Sequence, residues 1–204
     1  MKQIKITYAL LIVLVGSQTV MGYQTRQLSI GSKAPMIDQK VADVSGRNLT
    51  LNEVTQENGL LVVFSCNTCP WVTKWEDRYS QVSSYTQSNK IGMIALNPNE
   101  AYRQRGDGMD EMVKRVKKAA YDFPYALDKD HLIADAFGVT RTPQVYLFNN
   151  NLELVYVGAI DDNADSSDFV KESYLMNAID QMIAGESIIR NSTKAIGCTI
   201  KRSS

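Results

Sequence analysis

Histidine is nearly absent from this chain: His131 is the single one among 204 residues. A multi-histidine metal centre is therefore excluded, and His131, in the first turn of an expected helix, reads as a surface residue rather than a catalyst. Excess charge is also missing. Lys and Arg total 22 and Asp and Glu total 22, with no basic run and no aromatic-basic stripe, so nothing calls for nucleic acid or an anionic membrane surface. Cysteine is scarce, at 3 residues. That is too few to staple a small scaffold, and an odd number leaves one thiol outside any intramolecular pair. Internal repeats and long low-complexity segments are lacking as well. What remains fits one domain whose core holds by apolar burial, leaving thiols for function.

Long apolar runs are confined to the start. Lys2 and Lys5 precede the mainly apolar Ile6 to Val15, and Gly16, Ser17 and Thr19 follow. This is the layout of a secretory leader, too short for a helix that needs roughly 20 apolar residues to cross a bilayer. Val20-Met21-Gly22 is a poor small-x-small site, so an uncleaved anchor is the alternative to cleavage near Gly22. No cysteine follows the apolar run, which removes the handle for a lipid anchor there. The expected organisation is a leader over residues 1–22, one domain over 23–190 and a tail over 191–204 carrying Cys198. The expected location is periplasmic or extracellular, membrane-anchored if the leader is retained, where thiols can be oxidised.

What is present is Ser65-Cys66-Asn67-Thr68-Cys69-Pro70, behind the apolar Leu60 to Phe64 and ahead of a helical pattern. Two thiols at this spacing, where a buried strand becomes a helix N-terminus, read as a redox centre. Unpaired N–H groups and the helix dipole favour a thiolate there. Pro70 suits the first turn because its missing N–H would have been unpaired anyway. Half of a structural zinc site is the competing reading, but Cys198 and His131 form no second closely spaced pair. Two inert buried cysteines, or a purely structural bond, are the other plain alternatives. No cofactor and no metal are expected.

Strands and helices alternate through the rest. Ile37 to Val44 reads as an edge strand, and Leu60 to Phe64 and Ile91 to Leu96 as strands buried on both faces. Helices are expected from Pro70 to about Tyr85 and from Met109 to Tyr121. Asp130 is expected to cap a helix ending at Gly138, and Asp107 and Asp110 to begin or cap the helix after Gly108. Val145 to Phe148 and Leu152 to Val157 form a hairpin around Asn149-Asn150-Asn151. A last helix is expected from Ser167 to Ala184 with Phe169 on its apolar face. Asp161-Asp162-Asn163 lacks the spaced oxygens of a calcium loop and reads as a polar turn. Trp75 is assigned to the core and Trp71 to the flank of the thiol site. The fold class is α/β, a central mixed sheet with helices on both faces.

Thr142-Pro143 opens a strand after Gly138-Val139-Thr140-Arg141. Its place beyond the Cys-x-x-Cys, across two helical segments, points to a cis bond that would present the Thr142 backbone to an extended peptide passing the thiols.

These blocks resemble the thioredoxin-like superfamily, in its redoxin and TlpA-like branch, which adds an N-terminal hairpin and a central βα insertion to the core. Phe64-Ser65-Cys66-Asn67-Thr68-Cys69-Pro70-Trp71-Val72 resembles an AhpC/TSA-related, peroxiredoxin-like group bearing Cys-Asn-x-Cys-Pro. Thr142 to Phe148, Tyr156 to Asn163 and Gly197-Cys198-Thr199-Ile200-Lys201-Arg202 are similar to further blocks of that group. The likeness spans roughly residues 30 to 202. It implies that Cys66 attacks, Cys69 resolves, and Thr142 and Pro143 form the cis-proline site, with Asn67, Thr68, Pro70, Trp71 and Cys198 as auxiliaries. The chain departs from thioredoxin at Ser65, at Asn67-Thr68, and at Leu60, which takes the place of a buried acid; Glu57 or Glu76 is the candidate substitute. It also departs from the peroxiredoxin Pro-x-x-x-Thr-x-x-Cys pattern. Three residues before Cys66 stands Val63, and three before Cys69 stands Cys66, so neither supplies the hydroxyl.

The leading reading is thus an exported thiol–disulfide oxidoreductase, reducing rather than oxidising protein disulfides through Cys66 and Cys69. Its partners would be a protein bearing a disulfide or thiol and a separate thiol electron donor. A peroxiredoxin-like thiol peroxidase is the first alternative, and a noncatalytic thioredoxin-like binding module the second. Cys198 reads as a third exchange partner, an intermolecular bridge or a buried small residue.

Overall fold

Every residue from Leu60 to Phe64 is buried, because this strand has a sheet neighbour on each side and helices over each face. The computed structural model describes residues 26–203; the expected leader lies outside the described residues. Among those described, no helix is long and apolar enough to cross a membrane.

In chain order the elements are β1 (Val41–Asp43), β2 (Asn48–Leu49), α1 (Leu51–Val54), β3 (Leu60–Phe64), α2 (Pro70–Ser88), β4 (Gly92–Asn97) and α3 (Met109–Ala119). Then follow β5 (Tyr125–Leu127), α4 (Leu132–Phe137), β6 (Arg141–Thr142), β7 (Gln144–Phe148), β8 (Leu154–Gly158), α5 (Tyr174–Ile183) and β9 (Cys198–Thr199). Seven strands form one sheet in the order β2-β1-β5-β4-β3-β7-β8, and β6 pairs with β9 apart from it. β3 runs parallel to β4 and antiparallel to β7. The β1–β2 hairpin joins the sheet through β5. This is the thioredoxin-like α/β fold that the sequence implied, with the N-terminal hairpin and an insertion containing α3 and β5.

Alternation along β3 divides the core. Leu61 and Val63 face α2, α3 and α5, among Trp75, Tyr79, Met112 and Leu175. Leu60, Val62 and Phe64 face α1 and α4, among Leu51, Ile133 and Phe137. Such two-sided burial gives the near-continuous apolar runs that marked these strands in the sequence.

Several expectations are corrected. The first strand is shorter than Ile37 to Val44, and β2 rather than β1 lies at the edge. β5 was not foreseen, because Tyr125-Ala126-Leu127 is too short to show a period. Helix α2 runs three residues beyond Tyr85, to Ser88, and α3 stops at Ala119 because Ala120 turns left-handed at φ 52°. The expected last helix is broken. A 3-10 turn spans Ser167–Phe169, residue Val170 is extended, and α5 begins only at Tyr174. Phe169 is accordingly exposed rather than on an apolar face. The cap expected from Asp130 comes from Asp128, whose carboxylate accepts from Ile133 N and Ala134 N at 2.9 and 2.8 Å. Asp130 itself is left-handed, at φ 53°. Asp161 is no solvated turn residue: buried, it accepts from Trp75 Nε1 and Arg78 Nε, both at 3.1 Å.

The tail is tied into the fold. Val157 N donates to Asn191 O and Thr193 N donates to Val157 O, at 3.1 and 3.0 Å, so the chain follows the outer edge of β8. It then crosses above the N-terminus of α2 to pair β9 with β6. Ile200 is buried beyond β9 in the α1/α4-side core.

Candidate functional site

The site forms where β3 ends and α2 begins. Phe64 is the last strand residue, and Cys69 occupies the N-cap of α2 with Pro70 as the first helical residue. Five residues connect them in a loop that would spring outward if its backbone polar groups were unpaired. Asp107 holds it. This carboxylate is fully buried and accepts from Asn67 N and Thr68 Oγ1, each at 2.6 Å. Its other contacts are Asn97 Nδ2 at 3.1 Å and Asn99 Nδ2 at 3.0 Å. Asp107 therefore does not begin a helix, as the sequence suggested; it anchors the Cys-x-x-Cys loop from below. Arg115 Nη1 donates to Asn67 O at 3.2 Å, and Tyr125 OH donates to Asn67 Oδ1 at 3.0 Å.

Neither glutamate considered from the sequence approaches the thiols as a buried acid. Glu57 pairs with Lys90 at the surface. Glu76 is held by Arg115 and Tyr121. Sequence spacing could not reveal Asp107, since it lies about forty residues from the loop it anchors. Its signal is only Gly106-Asp107-Gly108, which resembles an ordinary turn.

Three free thiols meet here. Cys66 and Cys69 are buried and Cys198 is half-buried. Cys66 Sγ lies 3.2 Å from Thr142 Oγ1, and Cys69 Sγ donates to Thr142 O at 3.2 Å. The Thr142–Pro143 bond is cis. Thr142 is also the cross-strand partner of Cys198, so the tail brings its thiol against the same corner. Trp71 packs half-buried at the edge, 6.4 Å from the buried Trp75 ring. His131 lies away from the thiols with Nδ1 2.6 Å from Asp135 Oδ2. The residues singled out as Cys66, Cys69, Thr142, Pro143 and Cys198 are thus brought together, with Asn67, Thr68 and Pro70 in the intervening loop.

The two loop thiols differ in electrostatics. Hydrogen bonding from Cys66 lowers the Cys69 pKa to about 5, against burial, with help from the Cys198 thiol and the backbone N–H groups of Val72 and Cys198. An anion at a helix N-cap is favoured by those N–H groups and the helix dipole. Cys66 moves the other way. Its hydrogen bond to Cys69 retains the proton, and burial and the Asp107 charge raise it further. The Cys198 thiol is raised by burial and then by its bond to Cys69. These directions favour Cys69 as the thiol that ionises, giving up its bond to the Thr142 carbonyl as it does so, while Cys66 and Cys198 keep their protons. Chemically, this arrangement offers a nucleophilic thiolate and two neighbours able to form a disulfide with it.

Among known proteins, the AhpC/TSA family matches residues 30–157. An uncharacterized conserved protein of Geobacillus kaustophilus is 26% identical, with a TM-score of 0.79 over 86% of this chain and 93% of its own. A hypothetical protein of Sinorhizobium meliloti is 27% identical, with a TM-score of 0.79 over 89% of this chain and 99% of its own. The fold is also shared with a peroxidoxin of Mycobacterium tuberculosis, 15% identical with a TM-score of 0.56 over 80% and 99% of the two chains. No curated protein matches the chain.

Proposed function

The chain belongs to the AhpC/TSA family, and on that premise we propose that this thioredoxin-superfamily redox protein is a thiol peroxidase in which Cys69 attacks and Cys198 resolves. The placement of Cys198 carries the reading. Its pairing with Thr142 sets a third thiol against the lowered-pKa Cys69, on the side of the site nearer solvent. The proposal exchanges the roles first expected of the loop cysteines. Cys66, three residues before Cys69, takes the place of threonine in the Thr-x-x-Cys pattern and acts as a hydrogen-bond donor to the thiolate. Within the family, Phe64 to Val72 support placement in the narrower Cys-Asn-x-Cys-Pro group.

The chemistry proceeds in two balanced steps. The Cys69 thiolate attacks one peroxide oxygen; an S–O bond forms, the O–O bond breaks, and the departing alkoxide takes a proton from water. Cys69 is now a sulfenic acid, oxidised by two electrons. The Cys198 sulfur then attacks Cys69, forming an S–S bond as S–O breaks, and the sulfenic oxygen leaves as water with the thiol proton. An external dithiol returns two electrons and two protons. The partners are a small hydroperoxide and that thiol donor. Residues 1–22 support export to an oxidising compartment.

Disulfide reduction shares the same nucleophile and is the competing activity. The deciding experiment follows hydrogen peroxide consumption by reduced single-cysteine variants. Cys69→Ser abolishes it, Cys66→Ser retains the first turnover, and Cys198→Ser retains the first turnover but loses the internal disulfide. Retention of peroxide consumption in Cys69→Ser would overturn the assignment.

A further inference from the structure

The C-terminal strand lies where an extended substrate peptide would have to lie. β6 is an edge outside the main sheet, and its backbone at Arg141 and Thr142 is already paired with Thr199 and Cys198. An open strand edge is a template for a passing peptide, since main-chain pairing supplies affinity without demanding a sequence. Here that template is occupied by the chain itself. Gly197 makes the fit possible: a Cβ there would overlap the carbonyl of Thr142 and crowd the Pro143 nitrogen.

The occupant is fastened at both ends. Arg141 Nη1 donates to Gly197 O at 2.7 Å. Ile200 N donates to Thr140 O at 3.2 Å, and the Ile200 side chain is buried. Lys201 N donates to Asn99 Oδ1 at 2.9 Å, and Arg202 reaches both Asp135 Oδ1 and Val139 O at 2.7 Å. With Ile200 buried and these hydrogen bonds made, the strand is part of the fold rather than a loose flap.

We propose that β9, with Gly197 leading into it, determines specificity by filling the Thr142 edge as a built-in peptide, which excludes extended protein disulfides and leaves the thiolate to small oxidants. This rests on the reading of Cys69 as the attacking thiolate. With the strand displaced, the same site reduces a peptide disulfide. Cys69 attacks one peptide sulfur, an S–S bond forms and the other peptide thiolate leaves and is protonated. Cys66 gives up its proton and attacks Cys69, forming the Cys66–Cys69 bond as the second peptide thiolate leaves. Two electrons and two protons pass to the peptide, and added dithiothreitol restores the pair.

The test compares three variants with wild type on two substrates, hydrogen peroxide and a disulfide-linked extended peptide. Cys198→Ser keeps the strand and removes its thiol. A chain ending at Ile196 removes both. Gly197→Ala leaves the Ile200 and Arg202 anchors but forces the strand off Thr142, and serves where the shortened chain does not fold. Peptide reduction should rise about tenfold or more in the shortened chain or Gly197→Ala over Cys198→Ser, because a rate through a rarely open site scales with its open fraction. Equal peptide rates in the folded strand variants and Cys198→Ser overturn the inference. Wild type inert to peroxide, beside strand variants that gain peptide reduction, would refute the peroxidase reading and leave the inference standing.

Discussion

Cys198 faces Thr142 as its cross-strand partner in the short β6–β9 pair. Thr142 in turn contacts both loop thiols, through Oγ1 to Cys66 and through its carbonyl to Cys69. One residue thereby meets three sulfurs from two distant stretches of chain, the Cys-x-x-Cys loop and the tail. The proposed roles of these thiols name which disulfide forms first, and that is measurable.

Oxidation of reduced protein by a single equivalent of hydrogen peroxide is expected to yield the Cys69–Cys198 bond, mapped by mass spectrometry of proteolytic fragments. In Cys198→Ser the sulfenic acid on Cys69 should persist long enough for a carbon nucleophile to trap it. A Cys66–Cys69 bond as the first product in wild type would give the resolving role to Cys66.

Thiolate absorbance in the ultraviolet should titrate in two separate stages. Cys69 is lowered to about 5 chiefly by its hydrogen bond from Cys66, so its thiolate grows as pH rises through 5 and is nearly complete at neutrality. Cys66 stays protonated throughout that range, since its pKa is raised. Cys66→Ala removes the main donor and should shift the lower midpoint upward. A midpoint unchanged by that substitution would show that the helix N-terminus alone holds the charge.

Asp107→Ala is expected to cost about 3 kcal/mol or more in a denaturant melt, because several buried donors lose their acceptor at once. Those donors include Asn67 N and Thr68 Oγ1, at 2.6 Å each. Asp107→Asn keeps the shape but removes the charge that raises Cys66, so its Cys66 pKa should fall. If Asp107→Ala melts like wild type, the loop is not anchored from below.

The sequence made the sheet legible where burial is two-sided. Leu60 to Phe64 and the Cys-x-x-Cys after it declare a strand and a helix start without any tertiary knowledge. The redox centre was visible for the same reason. The roles of its thiols were not, because they depend on contacts between residues far apart in the chain, such as Asp107 with Asn67 and Cys198 with Cys69. Ser167 to Ala184 reads as one helix by period, yet Ser166 caps a separate turn and the chain re-enters only at Tyr174. Asp130 looked like the cap of α4 because it stands close before the apolar run. Two left-handed residues, Asp130 and His131, instead carry the chain back so that Asp128 reaches the helix.

That cap gives a pH-dependent stability with a definite sign. Asp128 is buried and its carboxyl is raised from 3.8 to about 6 by burial, against the opposing pull of the Ile133 and Ala134 N–H groups, Arg103 and His131. A carboxyl raised in the folded state binds its proton more tightly there than in the unfolded chain. Its contribution is therefore fully present below pH 3.8 and is lost as pH rises through 6. Asp128→Asn carries no titrating group, so the stability of wild type relative to this variant should fall across that window and level off above it. The change is of the order of 3 kcal/mol, since each pKa unit corresponds to about 1.4 kcal/mol. Paired urea melts at acid and neutral pH measure it directly. A wild-type advantage that instead grows with pH would mean that the backbone N–H groups outweigh burial, and that the ionised carboxylate is the form the fold prefers.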